Sequence, residues 1–376
     1  MNALDLLIRA ADSLLAHPEH LQAGHNGPYG VPETSLRNTG HWLILLSNVF
    51  RYTGHEPYRR RAEELAEQLL RPEYRPAGYA FAHFVQAGGR QCNGVIGAAW
   101  TFEALVAATR LTGDRRYVAA GLETCRAYRF DPSVGLWWVL EVEGASCQLD
   151  LTFNHQLWFA ACAAELGADQ PDIRKQVDAF LDHLTDNMTV LPDGLIYHPI
   201  ENFPAHLVGA QPARKLKRLG LRWWDKSKAR LSGQPARPAA MIAKSIGYHC
   251  FNTHALGILH SCRPDHPAWS GEALQRVKRY LLSDSYRQGV QDNTFSYGYN
   301  APGFEVPYSL YALNVLDDDA WSETSAWWLN EQVNRTSDPS TGLFTRNTPD
   351  PATLSARLYE LSRLPAESLE TVRLSI

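Results

Sequence analysis

Long apolar runs are missing from this sequence. Nowhere does a stretch approach the ~18 consecutive apolar residues of a membrane span. Charge of one sign is also scarce: Lys plus Arg number 36 and Asp plus Glu 40, a formal net charge of −4. The tightest basic cluster, Arg59-Arg60-Arg61, lies within a helical pattern and is expected to be a solvated face. Without a basic face the chain is not expected to bind nucleic acid or a membrane surface. The six cysteines, Cys92, Cys125, Cys147, Cys162, Cys250 and Cys262, form no CxxC pair, and several sit among apolar neighbours. Unpaired thiols in a reducing compartment, hence the cytoplasm, are the simpler expectation. The first twenty residues, MNALDLLIRAADSLLAHPEH, carry acids in the early turns and lack the basic start and apolar core of a secretory leader.

Several catalytic signatures are absent too. There is no GxGxxG or GxxxxGK loop, no HExxH helix and no GxSxG elbow. His249 and His254 are five apart, whereas two ligands on one helix face are four apart. No metal and no cofactor are expected. What is present is a hydrophobic content of 45%, ample for a large core, and a degenerate internal repeat. Phe50-Arg-Tyr-Thr-Gly54-His-Glu-Pro-Tyr58 matches Thr109-Arg-Leu-Thr-Gly113-Asp-Arg-Arg-Tyr117. In each, one helical pattern stops at Thr-Gly and another starts three or four residues later, as a glycine in the left-handed closing position allows. A second unit, Asp131-Pro-Ser-Val-Gly-Leu136, recurs as Asp338-Pro-Ser-Thr-Gly-Leu343, with Pro192-Asp-Gly-Leu195 a shorter relative. These spacings predict turns leading into short extended segments.

Between these marks, apolar residues recur every three or four positions. Charged, one-faced helices are expected near 2–16, 57–70, 115–129, 171–187, 270–283 and 320–334. Nearly uncharged helices, such as HWLILLSNVF and HQLWFAACAAEL, are expected near 38–51, 94–110, 154–166, 251–262, 304–316 and 352–363. The first set reads as outer helices with one solvated face, the second as helices covered on all sides. Six such hairpins predict an all-α (α/α)6 toroid over residues 1–376 as a single domain, an open solenoid being the alternative. The Pro-rich stretch 189–248, with RKLKRLGLRWWDKSKARL inside it, is expected to be an insertion or lid.

In such a ring the loops entering the inner helices line one end of a central funnel, close to several helix N-termini. Unusual residues cluster at those entries: Tyr29, Glu33, Arg37 and His41, then His83 and Asn93, then Asp150, Asn154 and His155. Lys244, Tyr248, His249, Asn252 and His254 follow, then Asp292, Tyr297, Tyr299, Asn300 and Glu305, and finally Arg346, Asp350 and Arg357. Asn at such a position also serves as an ordinary N-cap, and a single His is more often a core residue. Their recurrence with Tyr and Gln suggests a lining for a polyhydroxylated ligand. The eleven Trp, including Trp137-Trp138, Trp223-Trp224 and Trp327-Trp328, suit sugar stacking, although most belong to the core.

Glycoside hydrolysis needs two carboxyl groups facing each other across the scissile bond. Glu305, Asp150 and Asp292 are the candidates, with Glu305 following a rigid Gly/Pro loop. Proton abstraction beside a carbonyl instead uses His or Tyr, here His155, His249 or His254, with Tyr299. His41, Asn93, Asn154, His249, Asn252, Tyr297, Tyr299, Asn300 and Arg346 are the candidate substrate-binding residues.

The repeated Thr-Gly-[His/Asp]-x-x-Tyr unit ending at Tyr58 and Tyr117 resembles the (α/α)6-toroid carbohydrate-active enzymes. These include the N-acylglucosamine 2-epimerase group, unsaturated glucuronyl hydrolases and uronate lyases. The resemblance implies a cytoplasmic enzyme acting on a mono- or oligosaccharide, with uronic-acid-containing sugars among its substrates. A hydrolase is the first expectation and an epimerase or lyase the second. A toroid terpene or peptide cyclase and a non-catalytic binding scaffold remain as alternatives, and a homodimer is allowed.

Overall fold

A computed structural model of the chain describes residues 1–85, 90–202, 204 and 237–375. Six outer helices run over Ala3–Ala16, Glu56–Leu69, Arg115–Ala127, Pro171–Asp182, Glu272–Leu281 and Asp318–Thr336. They alternate with six inner segments, of which the first five are Leu36–Thr53, Ile96–Thr112, Phe153–Leu166, His249–Cys262 and Pro302–Ala312. The sixth is α-helical over Pro351–Ala356 and 3₁₀ over Arg357–Arg363. Each inner segment packs on the next and the sixth packs on the first, so the ring closes as an (α/α)6 toroid. Burial separates the two sets as the charge pattern predicts. The second outer helix buries a stripe of Tyr58, Ala62, Leu65, Ala66 and Leu69, whereas the second inner helix is buried almost throughout from Ile96 to Ala108.

The recurring Thr-Gly unit has a common hydrogen-bonding basis. Gly54 and Gly113 close their helices at φ 69° and 76°, a conformation that penalises a side chain. The preceding Thr53 and Thr112 hydroxyls donate back to Val49 and Ala108 carbonyls and accept the N–H of His55 and Asp114. The tyrosine that ends each unit then reaches the preceding outer helix: Tyr58 donates to Asp12, and Tyr117 to Glu67 at 2.6 Å. One repeat thus stops an inner helix, starts an outer one and ties it to its neighbour. In the second unit, Asp131 and Asp338 each accept from the N–H and hydroxyl of the serine two residues on.

As the Asp131–Leu136 turn predicts, an extended segment follows it: the third outer and third inner helices are joined by a three-stranded antiparallel sheet, Phe130–Asp131, Leu136–Leu140 and Ser146–Leu149. Other segments depart from expectation. The fifth inner helix ends at Ala312, ahead of the expected 316, with Asn314 left-handed at φ 49°. Short helices occur at Leu184–Asn187, Ala239–Gly247, Asp284–Gly289 and Ala366–Thr371. Of the stretch 189–248, residues 203 and 205–236, including Trp223 and Trp224, lie outside the described residues. Its first part forms a turn bridged by Val190 and Ile196 and then pairs Pro199 with Thr152.

Removing the Tyr117 hydroxyl takes away one of these inter-helix ties. Tyr117→Phe is expected to lower stability by about 1 kcal/mol, read as a lower urea midpoint with an unchanged slope.

Candidate active site at the N-terminal end of the ring

The ring has an opening at each end. At one end, residues from the N-terminal turns of the inner segments and their entry loops surround a cavity of about 240 Å³. At the other, a cavity of about 440 Å³ is lined by residues late in those segments, such as Asn48, Arg110, Glu165 and Arg363. The contributing inner segments therefore run in one direction. The entry end collects imidazoles, phenols, amides and cations, and it is the candidate active site.

His155, in the first turn of the third inner helix, lies on the cavity wall. Its Nδ1 is 2.8 Å from Asp150 Oδ2. Asp150 also accepts the N–H groups of Val95 at 3.1 Å and Thr152 at 3.2 Å. Burial works to raise its carboxyl, but His155 and these N–H groups hold it below the ordinary carboxylate value. Gly94 makes room for this pair. At φ 53° its added Cβ would fall 2.3 Å from Asp150 Oδ2 and 2.7 Å from His155 Nδ1.

His198 lines the same cavity beside Tyr248, with ring centroids 4.6 Å apart, and its Nδ1 has no partner. Burial first, then the charge of Lys244, depresses its pKa well below the ordinary value, so the ring stays neutral. Three phenols form a chain from the mouth inward. Tyr29, 41% exposed, meets Tyr248 at 2.9 Å; Tyr248 donates to Tyr299 at 3.3 Å, and Tyr299 donates to Asn26 Oδ1 at 3.3 Å. Because Tyr248 gives its proton to Tyr299, Tyr29 is the donor to Tyr248.

Arg357 forms the floor, and all its donors are committed. Nε and Nη2 bond Glu360 at 3.1 and 2.9 Å, Nη1 bonds the Tyr299 carbonyl at 2.6 Å and Asn300 Oδ1 at 3.0 Å, and Nη2 also bonds Glu305. Burial pushes the carboxyls of Glu305 and Glu360 up against the pull of Arg357. Arg37 bonds Glu33 at 3.2 Å and lies 3.8 Å over the Trp100 ring.

The sequence candidates separate accordingly. His155, Asn93, Asn154, Tyr299 and Asn300 line the cavity. Asp150 stands behind His155, and Glu305 lies wholly buried behind Arg357. Asp292 is exposed in the turn after Asp284–Gly289. His254 is stacked on Trp158, its Nδ1 near the Glu305 carbonyl, and His41 is stacked on Tyr359. His249 is buried edge-on to Tyr280 and Tyr286, with burial lowering its pKa to about 3. Asn252 is buried with neither amide atom paired. Tyr297 turns towards Arg335, and Arg346 is exposed. His198 is the main residue the sequence reading passed over. It follows the Asp193-Gly194 turn, whose likeness to the other Asp-Gly turns is the signal that an extended, inward-facing segment comes next. Among the described residues, no group of three or more His, Cys, Asp or Glu is placed to hold a metal ion.

No family model matches the chain. Archaeal glycosylation protein Q of Haloferax volcanii is 36% identical over 372 residues, spanning 96% of each chain. The chain belongs to the archaeal glycosylation protein Q family. Solved structures with the same fold reach far beyond that family. Cellobiose 2-epimerase from Spirochaeta thermophila superimposes with a TM-score of 0.61 at 15% identity, covering 97% of each chain. A heparin-specific unsaturated glucuronyl hydrolase gives 0.59 at 12%, covering 99% of this chain and 95% of that one. An α-1,6-mannanase from Salegentibacter gives 0.57 at 11%, covering 99% and 100%. The toroid of this glycosylation-protein family is thus one shared with carbohydrate-active enzymes of several reaction types. Among the described residues, no helix is long and apolar enough to cross a membrane.

Two outcomes follow from the buried charges. Arg357→Met leaves Glu305 and Glu360 without their partner and is expected to cost about 3–5 kcal/mol, measured by chemical denaturation; adding Glu305→Gln to it should restore part of the loss. The depressed Asp150 carboxyl contributes stability that is present above its ordinary value of 3.8 and is lost as pH falls through the lower folded-state value. The stability advantage of the native chain over Asp150→Asn should therefore be full near neutrality and shrink in acid, as a pH series of melting curves would record.

Proposed function

We propose that this chain is a carbohydrate-transforming enzyme of the epimerase or isomerase kind, moving a proton at a carbon beside a carbonyl. The observation that carries the proposal is the composition of the cavity wall: two imidazoles and, among the described residues lining it, no carboxylate. Asp150 occupies Nδ1 of His155, so an ionised Asp150 keeps the proton there and leaves Nε2 as the basic nitrogen. His155 is then the base. His198, held neutral, is the second proton-transfer group, and Tyr248 beside it, with Tyr299 next to Tyr248, hydrogen-bonds the substrate's hydroxyls. Asn93, Asn154 and Asn300 add amides that position a polyhydroxylated ring, and the small cavity suits a single sugar unit.

Hydrolysis by paired carboxylates fits this site less well. That chemistry needs both carboxyl groups in reach of the scissile bond, whereas Glu305 and Asp150 are engaged by Arg357 and His155. The name of the Haloferax relative and the sugar-active neighbours support a carbohydrate substrate without choosing between these reactions.

Proton exchange is the direct test. Incubation with reducing hexoses and hexuronates in D₂O should place deuterium at the carbon next to the carbonyl, followed by NMR. His155→Gln should slow this by about 10²-fold or more while the melting temperature is retained. Turnover of a sugar with no solvent deuterium incorporated would retire the proton-transfer mechanism.

A further inference from the structure

Among the described residues, three cationic side chains line the entry-end cavity, and they are not equivalent. Arg357 has every N–H donor engaged, and Arg37 is paired with Glu33. Lys244 has no hydrogen bond and no ion pair among the described residues. Its ammonium sits in an aromatic cage, 5.1 Å from the ring centre of Tyr29, 5.5 Å from Tyr248 and 5.7 Å from Phe295. A cage of this kind stabilises a cation through the faces of the rings. It supplies no acceptor, however, so the three N–H donors of the ammonium are left without a partner at the cavity wall. Lys244 also lies in the last turn of Ala239–Gly247, where a cation is favoured by the helix dipole. Its position is thus held, while no counter-charge for it occurs among the described residues.

We infer that Lys244 is the specificity-determining residue for an anionic group on the sugar, a carboxylate or a phosphate, which supplies the ion-pair partner that none of the described residues provides. The inference rests on the reading of this cavity as the substrate site. A charge-assisted bond in a part-desolvated cage is stronger than one in water, so the anionic group gains here what a neutral hydroxymethyl group would not. Burial of the ammonium points the same way, since it lowers the Lys244 pKa and makes an incoming anion the natural partner.

Calorimetric titration of the full chain with D-glucuronate, D-glucose 6-phosphate and D-glucose, at one ionic strength, tests this. At least one anionic sugar should bind roughly tenfold or more tightly than glucose, and which one does so separates a carboxylate from a phosphate site. Lys244→Met should abolish that preference, while Lys244→Arg should keep most of it. Melting curves of both variants establish that the fold is intact. Equal binding of all three sugars, no binding of either anion, or an anion preference that survives in Lys244→Met would each overturn the assignment. The deuterium experiment separates the two readings. Anion preference without exchange removes the proton-transfer chemistry and keeps the anion site; exchange on a neutral sugar without anion preference does the reverse.

Discussion

A closed ring of helices must fill its axis, and this one fills it with paired charge. Arg357, Glu360 and Arg363 recur every third residue along the last inner segment, which is a 3₁₀ helix over Arg357–Arg363. At three residues per turn these side chains fall in one row, whereas an α-helix would rotate them progressively apart. The row is completed from other segments: Glu305 joins Arg357, while Glu103 and Glu165 join Arg363. Tyr359 from the same segment donates to Glu103 at 3.0 Å. Charges this deeply buried are tolerable only with nearly complete partnering, so the second, third, fifth and sixth inner segments are bound to one another by the same set of bonds.

The entry-end cavity depends on that row. Arg357 bonds the Tyr299 carbonyl and Asn300 amide, and so fixes the loop that carries one wall of the site. It also withdraws Glu305 from the cavity, whose described lining holds two imidazoles and no carboxylate. The opposite wall is set by a separate device. Asp150, gripped by N–H groups from two loops, holds the His155 ring, and Gly94 gives the pair space to meet. Acids support the site from behind, while imidazoles, phenols and amides face the cavity. Of the three cations at the wall, Arg37 and Arg357 are paired with acids, whereas Lys244 has no counter-charge among the described residues.

Much of the architecture was legible because helices advertise themselves by period. The contrast between one-faced and all-round apolar helices marked outer from inner segments, and the Thr-Gly and Asp-Pro-Ser units marked where they turn. Five of the six inner helices lie within a few residues of their expected ranges, and even the early stop of the fifth has a visible cause at Asn314. The short sheet over 130–149 was less legible, since its first strand has only two residues and leaves no alternation to detect.

The sequence by itself determined which segments are helical and which faces they bury, since both follow from local spacing. It could not determine which of the polar groups near the helix entries face the cavity. His41, His155, His249 and His254 are alike in composition and in their place near a helix entry, yet only His155 lines the cavity, because orientation around a helix axis is settled by the neighbours it meets across the ring. Glu305 illustrates the same point. Its first-turn position suggested an acid at the funnel mouth, but Arg357, 52 residues later, draws it into the interior. Pairing between residues so distant in the chain is a property of ring closure, and only the folded ring decides which acids are enclosed and which bases are left open to a substrate.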